Sequence, residues 1–263
     1  MDFKSLIRPY FRGHAYVGRS LIFFDEIHST NLFLLENQEL LKINALVVHA
    51  KKQTRGIGRK GRKWEQGDKE HLFCSFVIHH QNKRIKTISS YPLIIGLCVY
   101  DALKGLNCKN LSLKWPNDVL LNGKKVSGIL CQSRPLSDGK TVVIAGIGVN
   151  IGGSCKQFSN ELKNKATTLE EHGIKISANK LLAEITKALE SIFSQIEHKG
   201  MQYIFNRWEK ASNSIGCKIK FIEDGKELYG KILGLDDIGR LRVLHLESSK
   251  VYIVESGEID FKY

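Results

Sequence analysis

Three short segments of this chain gather side chains suited to phosphates, carboxylates and amines. The first is KKQTRGIGRKGRK (51–63), with seven lysines or arginines, three glycines and no acid. Glycines let backbone amides approach an anion closely. Arg59 and Arg62 can grip phosphate oxygens with paired N–H groups. Trp64, just beyond, offers a flat apolar face for an adenine ring or for a closing loop. The bland alternative is a solvated basic loop, but so many cations around three glycines, ending in a tryptophan, favour a pocket for a small anion. Gly56-x-Gly58-x-x-Gly61 also matches the dinucleotide fingerprint. That fingerprint must open a helix, and RKWEQGDKE does not, so the dinucleotide reading fails on context.

The second segment is Lys114-Trp115-Pro116-Asn117-Asp118, at the end of an expected strand. Pro116 stiffens the turn and biases Trp115 to an extended conformation, which presents Asn117 and Asp118 at a defined angle. An ordinary Asx turn would use the same residues. Lys125 and Gly128 follow on the next expected strand. Two lysines and a carboxylate on adjacent strands suit a developing negative charge and a nucleophilic amine. The third segment, GIGVNIGG (146–153), ends a strand. Its small residues leave room for a planar ligand, and Asn150 can hydrogen-bond a purine edge.

These segments need elements to hold them. LIFFDEI (21–27) and ALVVHA (45–50) read as strands flanking a helix, NLFLLENQELL, capped by Ser29 or Thr30. HLFCSFVI (71–78) is a strand and SYPLIIGLCVYDALKGL (90–106) a helix on the sheet. LSLKW, VLL and KVSGILCQS form a hairpin around Asn122-Gly123, and 138–151 a further strand. Residues 152–168 are polar without periodicity and read as a mobile loop. Helices over 178–196 and 201–211 lead to short strands from 215 onward, a small five-strand-like barrel. The expected division is an extension over 1–20, a main domain over 21–213 and the barrel over 214–263. No internal repeat or low-complexity tract interrupts this order.

Composition sets the outer limits. The 263 residues, 42% hydrophobic and 25% charged, are ordinary for a globular protein with a sizeable core. The six cysteines show neither CxxC nor zinc-site spacing, which fits a reducing cytoplasm. No run reaches membrane-helix length, and the N-terminus lacks a secretory apolar region. The net charge of +13 suggests nucleic acid. Yet the basic loop alone supplies more than half of that excess, while residues 214–263 carry eight basic and nine acidic groups. A phosphate-tracking surface needs dispersed cations and stacking aromatics.

In order along the chain, STN, QTRGIGRKGRKW, KWPNDVLLNGKKVSGIL and AGIGVNI resemble biotin protein ligases (biotin–[acetyl-CoA-carboxylase] ligases). The resemblance covers 21–263 and implies an α+β catalytic domain, with a mixed β-sheet related to class II aminoacyl-tRNA synthetases, plus an SH3-like C-terminal domain. It implies biotin and ATP as substrates, with Mg²⁺ carried by the nucleotide rather than by a protein cage. A carboxylase's biotin carboxyl carrier domain would be the acceptor, with biotinyl-5′-AMP the intermediate. By the same resemblance, Ser29, Thr30 and Asn31 would bind the biotin ring, with Gln53, Gly56, Ile57 and Gly58 lining that pocket. Arg59 would hold the phosphate, Lys125 would bridge carboxylate and α-phosphate, and Gly128 would pass under the ligand. Asp118 would orient the acceptor amine. Arg62, Trp64, Lys114, Asn117 and Asn150 would serve the nucleotide.

One departure is Ile57, where the family usually has arginine, so only a backbone role carries over. Many bacterial members carry an N-terminal DNA-binding winged helix; the twenty residues before the catalytic domain lead us to expect a monofunctional ligase without DNA or membrane as partner. Sheet edges offer a route to a homodimer. A lipoate–protein ligase shares the reaction type, but STN plus Gln53 suits a ureido ring. A protein that binds ATP without turnover is disfavoured by the intact lysine and arginine positions.

Overall fold

Eight strands make one sheet: β1 (Arg8–Pro9), β2 (Ser20–Ile27), β3 (Leu46–Gln53), β4 (Leu72–His79), β5 (Leu111–Lys114), β6 (Asp118–Leu121), β7 (Lys124–Pro135) and β8 (Thr141–Val149). Their order across the sheet is β1-β2-β3-β4-β8-β7-β6-β5, antiparallel except for the parallel pair β2/β3. This is a computed structural model, and it describes residues 3–223, 225–255, 257 and 259–261. Four helices accompany the sheet: α1 (Thr30–Glu36), α2 (Tyr91–Gly105), α3 (Ala178–Lys199) and α4 (Met201–Ser212).

Alternation along the strands sorts side chains into two layers. On β8, Val143, Ala145, Ile147 and Val149 join the larger core with α2, α3 and α4. Val142 and Ile144 face the other way, into a smaller core under Phe33 and Leu34 of α1. Burial on both faces explains the apolar run at 45–48, because a strand covered twice has no solvent side to mark with polar residues.

From Lys218 a second sheet begins: β9 (Lys218–Glu223), β10 (Lys226–Leu235), β11 (Leu241–His245), β12 (Val251–Val254) and β13 (Asp260–Phe261). Its order, β12-β11-β10-β9-β13, brings the last strand back beside the first, an arrangement compatible with an SH3-like domain. Ile219, Phe221, Ile232 and Val243 fill its interior.

The expected helix over 31–41 is broken. Asn37 ends α1 by donating both its backbone N–H and its side-chain amide to the Phe33 carbonyl, and a separate 3-10 turn (Gln38–Lys42) follows. An asparagine that competes for helical carbonyls favours such a stop. The N-terminal residues are packed: β1 covers the edge of β2, and the amides of Tyr16 and Val17 donate to the Glu190 carboxylate on α3.

Candidate active site

The face of β8 that buries Val142 and Ile144 under α1 continues as Gly146, Gly148 and Asn150. Beyond the reach of that short helix the same face lines a cavity of about 890 Å³. Small residues stand where core side chains would otherwise fill the layer. The cavity is walled by β4, β7, β8, the start of α1, the 56–64 and 158–166 segments, and the junction to the second sheet. Its lining carries six cations, Arg59, Arg62, Lys63, Lys114, Lys125 and Lys165, against Glu65 and Asp118. That balance favours an anionic occupant.

The basic loop is a hairpin rather than an open loop. Ile57 bridges Lys63, Gly58 N–H donates to the Arg62 carbonyl at 2.7 Å, and Trp64 N–H donates to the Gly56 carbonyl at 2.9 Å. At its tip Lys60 and Gly61 both have positive φ, 56° and 72°, the pattern of a type I′ turn. No α-helix follows it, as the sequence context requires. The hairpin lays the Trp64 indole across the paired residues Gly128 and Gly148 of β7 and β8. An added Cβ would stand 2.7 Å from the ring at Gly128 and 2.8 Å at Gly148. In this structure the indole itself occupies the bed that the sequence suggested for a planar ligand.

Arg59 and Lys125 line the same cavity. Lys125 Nζ lies 2.6 Å from Asp118 Oδ1 and 5.5 Å from the centre of the Trp64 ring, a cation–π contact. Register explains the pair, since Asp118 faces Gly128 across β6/β7 and only a glycine there leaves room for the Lys125 side chain. The Lys125 backbone is fixed by a parallel bridge to Ala166. Arg59 Nη1 donates to Asn117 Oδ1 at 3.1 Å and to the Gly257 carbonyl at 3.3 Å, while Asn117 Nδ2 donates to the Ile129 carbonyl. Asn117 thus positions the guanidinium. Lys114 stands opposite Asp118 in register.

A polar network closes the other end. Ser29 caps α1. Thr30 N–H donates to Gln53 Oε1 at 2.7 Å, and Ser75 Oγ lies 2.7 Å from Thr30 Oγ1 and 2.6 Å from Asn31 Oδ1. Asn31 Nδ2 donates to the Leu130 carbonyl and to Gln132 Oε1. Both amide hydrogens of Asn31 are therefore engaged within the protein, and it has little left to offer a ring except a carbonyl lone pair. Gly56 is the one expected residue that does not line the cavity; it packs beneath Trp64, whose Cβ would stand 3.2 Å from an added methyl. Asn150 is buried, with its amide donating to the Thr167 carbonyl and its Oδ1 unmatched, as is Trp64 Nε1. A buried acceptor without a donor suits an exocyclic amine.

Ser75 and Gln132 were not singled out in the sequence, although a serine inside the apolar run HLFCSFVI is a signal, because a buried hydroxyl needs a partner. Residues 152–168 are also better anchored than their polarity suggested. Ser159 N–H donates to Glu65 at 2.8 Å, Asp68 N–H donates to Gln157, and Phe158 and Ala166 are buried. The basic-loop segment and this one touch each other here. Among the described residues, no group of three or more His, Cys, Asp or Glu stands where it could hold a metal, and no helix is long and apolar enough to cross a membrane.

His71 sits beneath this junction, 2% exposed, with Gly67 N–H directed at Nε2 and Ile151 N–H at Nδ1. Burial pushes its pKa down to about 4, against the opposing pull of Glu70. Between the ordinary value and that one, an unfolded chain binds a proton here that the folded chain refuses. Stability should therefore fall by about 3 kcal/mol as pH drops from 6.5 to about 4, then level off. His71→Asn should flatten that slope in urea titrations at several pH values; an unchanged slope would show that His71 titrates normally.

The profile of the biotin/lipoate A/B protein ligase family matches residues 23–150. The bifunctional ligase/repressor BirA of Escherichia coli is 30% identical over 225 residues, covering 85% of this chain and 69% of that protein. The biotin–[acetyl-CoA-carboxylase] ligase of Paracoccus denitrificans is 31% identical over 218 residues, 81% of this chain and 89% of that one. Among solved structures, biotin protein ligase from Aquifex aeolicus in complex with biotin and ATP superposes with a TM-score of 0.73 at 30% identity. It covers 92% of this chain and 98% of its own.

Proposed function

Because the chain belongs to the biotin protein ligase family, we propose that its cavity performs both half-reactions of ATP-dependent biotin attachment to a carboxylase lysine. In the first, a biotin carboxylate oxygen attacks the α-phosphorus of ATP and pyrophosphate leaves, giving biotinyl-5′-AMP. In the second, a lysine amine of the acceptor protein attacks the acyl carbon and AMP leaves. The observation that carries this reading is that Arg59, Lys125, Asp118 and the Thr30–Gln53 network line one cavity.

The first step brings anions together, so charge compensation matters more than proton transfer. Arg59, steadied by Asn117, and Lys125, beside Asp118, supply it, with Arg62, Lys63 and Lys114 adding to the field. Mg²⁺ carried by the ATP phosphates, not held by a protein cage, would add to that compensation. Thr30, Gln53 and the cap at Ser29 form the polar end that suits the ureido ring, and Asn150 Oδ1 accepts from the adenine amine. Trp64 leaves the glycine bed to admit the ligand and then covers it, which keeps water from the mixed anhydride. Asp118, paired with Lys125 at rest, is released as Lys125 turns to the carboxylate and phosphate, and then orients the acceptor amine. We assign residues 21–213 to the catalytic domain, 214–263 to the C-terminal domain and 1–20 to an N-terminal extension.

Isotope exchange between pyrophosphate and ATP tests the reading directly. It should depend on biotin; exchange driven by lipoate and not by biotin would reject it in favour of the lipoate sibling. Asp118→Ala should keep this exchange within about threefold while slowing transfer to the acceptor lysine by roughly a hundredfold. Equal losses in both steps would refute the role given to Asp118.

A further inference from the structure

The loop over 154–167 borders the end of the cavity assigned to ATP above, and its two ends meet on one side chain. Phe158, Leu162, Asn164, Lys165 and Ala166 line the cavity from this loop. At its start, Ser154 Oγ and Cys155 N–H donate to Glu171 Oε1 at 2.8 and 3.0 Å. At its end, Thr167 Oγ1 donates to Glu171 Oε2 at 2.9 Å. The two oxygens of one carboxylate thus divide the ends of the loop between them. Desolvation draws the Glu171 pKa upward, but the bonds from Cys155, Ser154 and Thr167 outweigh it and bring it down to about 2. Near neutral pH the group is therefore an anion that only accepts.

Thr167 carries this anchorage into the site. Its N–H donates to the Lys125 carbonyl at 2.9 Å, its carbonyl accepts from Asn150 Nδ2 at 3.1 Å, and Lys125 N–H donates to the Lys165 carbonyl at 2.8 Å. The ladder between β6 and β7 explains why Lys125 is open to such a partner. Leu120 pairs with Lys125 and Val119 with Ser127, so Val126 is the extra residue of a bulge. A bulge disrupts pairing locally, and 165–167 takes up the Lys125 amide and carbonyl there. His172 adds a brace: its Nε2 lies 2.9 Å from Thr167 Oγ1, and its Nδ1 2.9 Å from Asn122 Nδ2 in the turn before Lys125. Thr167 is 2% exposed, whereas Glu171 stands at the surface, outside the cavity lining.

We propose that Glu171 is a positioning residue for the nucleotide: it holds the two ends of the 154–167 loop together, so that Thr167 has Asn150 and the Lys125 backbone in place before ATP arrives. The inference rests on the ligase reading above. Without the carboxylate, the loop spends only part of its time in the shape that receives ATP, and apparent affinity falls by that fraction. Bound nucleotide packs against the loop and restores its shape, so the loss falls on KM rather than on kcat. Biotin binding is spared, because the Thr30–Gln53–Ser75 network is built from α1, β3 and β4 rather than from this loop.

Glu171→Ala and Thr167→Val, each in the full chain, test the assignment. The readouts are biotin-dependent pyrophosphate exchange at varied ATP and equilibrium dialysis of biotin alone. KM for ATP should rise about tenfold or more in both variants, with kcat and the biotin Kd within about threefold of wild type. The retained biotin affinity also verifies folding. Thr167→Ser keeps the hydroxyl and loses a methyl group, so its KM should stay within about twofold of wild type. A role in packing alone would reverse that order, sparing valine and penalising serine. An unchanged KM in both variants, an equal loss of biotin and ATP affinity, or a Thr167→Ser as impaired as Thr167→Val overturns the role given to Glu171. Absence of biotin-dependent exchange in the wild-type protein would instead remove the ligase reading, and this assignment with it.

Discussion

Lys125→Met should lower the rate of biotinyl-AMP formation roughly a thousandfold, with the folded state intact. Methionine keeps most of the side-chain length and removes the charge. The Lys125 ammonium stands 2.6 Å from Asp118 and 5.5 Å from the Trp64 ring centre, on a strand pinned to Ala166. With its backbone pinned, Lys125 has only to turn its ammonium from Asp118 when carboxylate and phosphate arrive, and charge supplied at short range in this way contributes up to three powers of ten in rate. Biotin-dependent pyrophosphate exchange at saturating ATP reads the loss. A drop of less than about tenfold would mean that Arg59 and the other cations of the cavity suffice without it. Because Asp118 loses its partner in the same variant, an attendant loss of stability should be checked by thermal melting.

Gly148→Val should weaken biotin and ATP binding about a hundredfold, equivalent to about 2.7 kcal/mol. The Cβ of any residue at 148 falls within 2.8 and 2.9 Å of two Trp64 ring atoms, and Gly128 closes the same bed from the neighbouring strand. Valine there expels the indole from its resting place and takes the floor from whatever replaces it. Tryptophan fluorescence reports the first effect in a Trp115→Phe background, since Trp115 also lines the cavity whereas Trp208 belongs to the larger core. Equilibrium dialysis reports the second. Wild-type affinity in this variant would show that neither indole nor ligand uses the bed.

The strands, the long helices and the C-terminal sheet were legible because alternation and helical stripes survive in a single sequence. The basic loop was legible as a cluster of cations and glycines but not as a hairpin. Lys60 at φ 56° is a poor advertisement for a type I′ turn, which usually announces itself with asparagine before glycine. Asn31 illustrates a different gap. Its place in STN marked it as a ligand donor, yet Ser75, Leu130 and Gln132 engage its amide from strands 44 to 101 residues away. Periodicity carries no information about such partners. His71 gave no signal either, because its depressed pKa arises from two loops that meet only in the folded chain.

Cys217 and Ile259 form part of the cavity wall, and the Gly257 carbonyl accepts from Arg59. A shortened enzyme that stops near residue 213 would therefore keep every group given a part in the proposed reaction and still be open on one flank, with one contact of the Arg59 guanidinium lost. Anyone trimming this chain into a smaller protein-labelling tool should expect the reactive anhydride to leak to water, even though no residue of the chemistry itself has been removed.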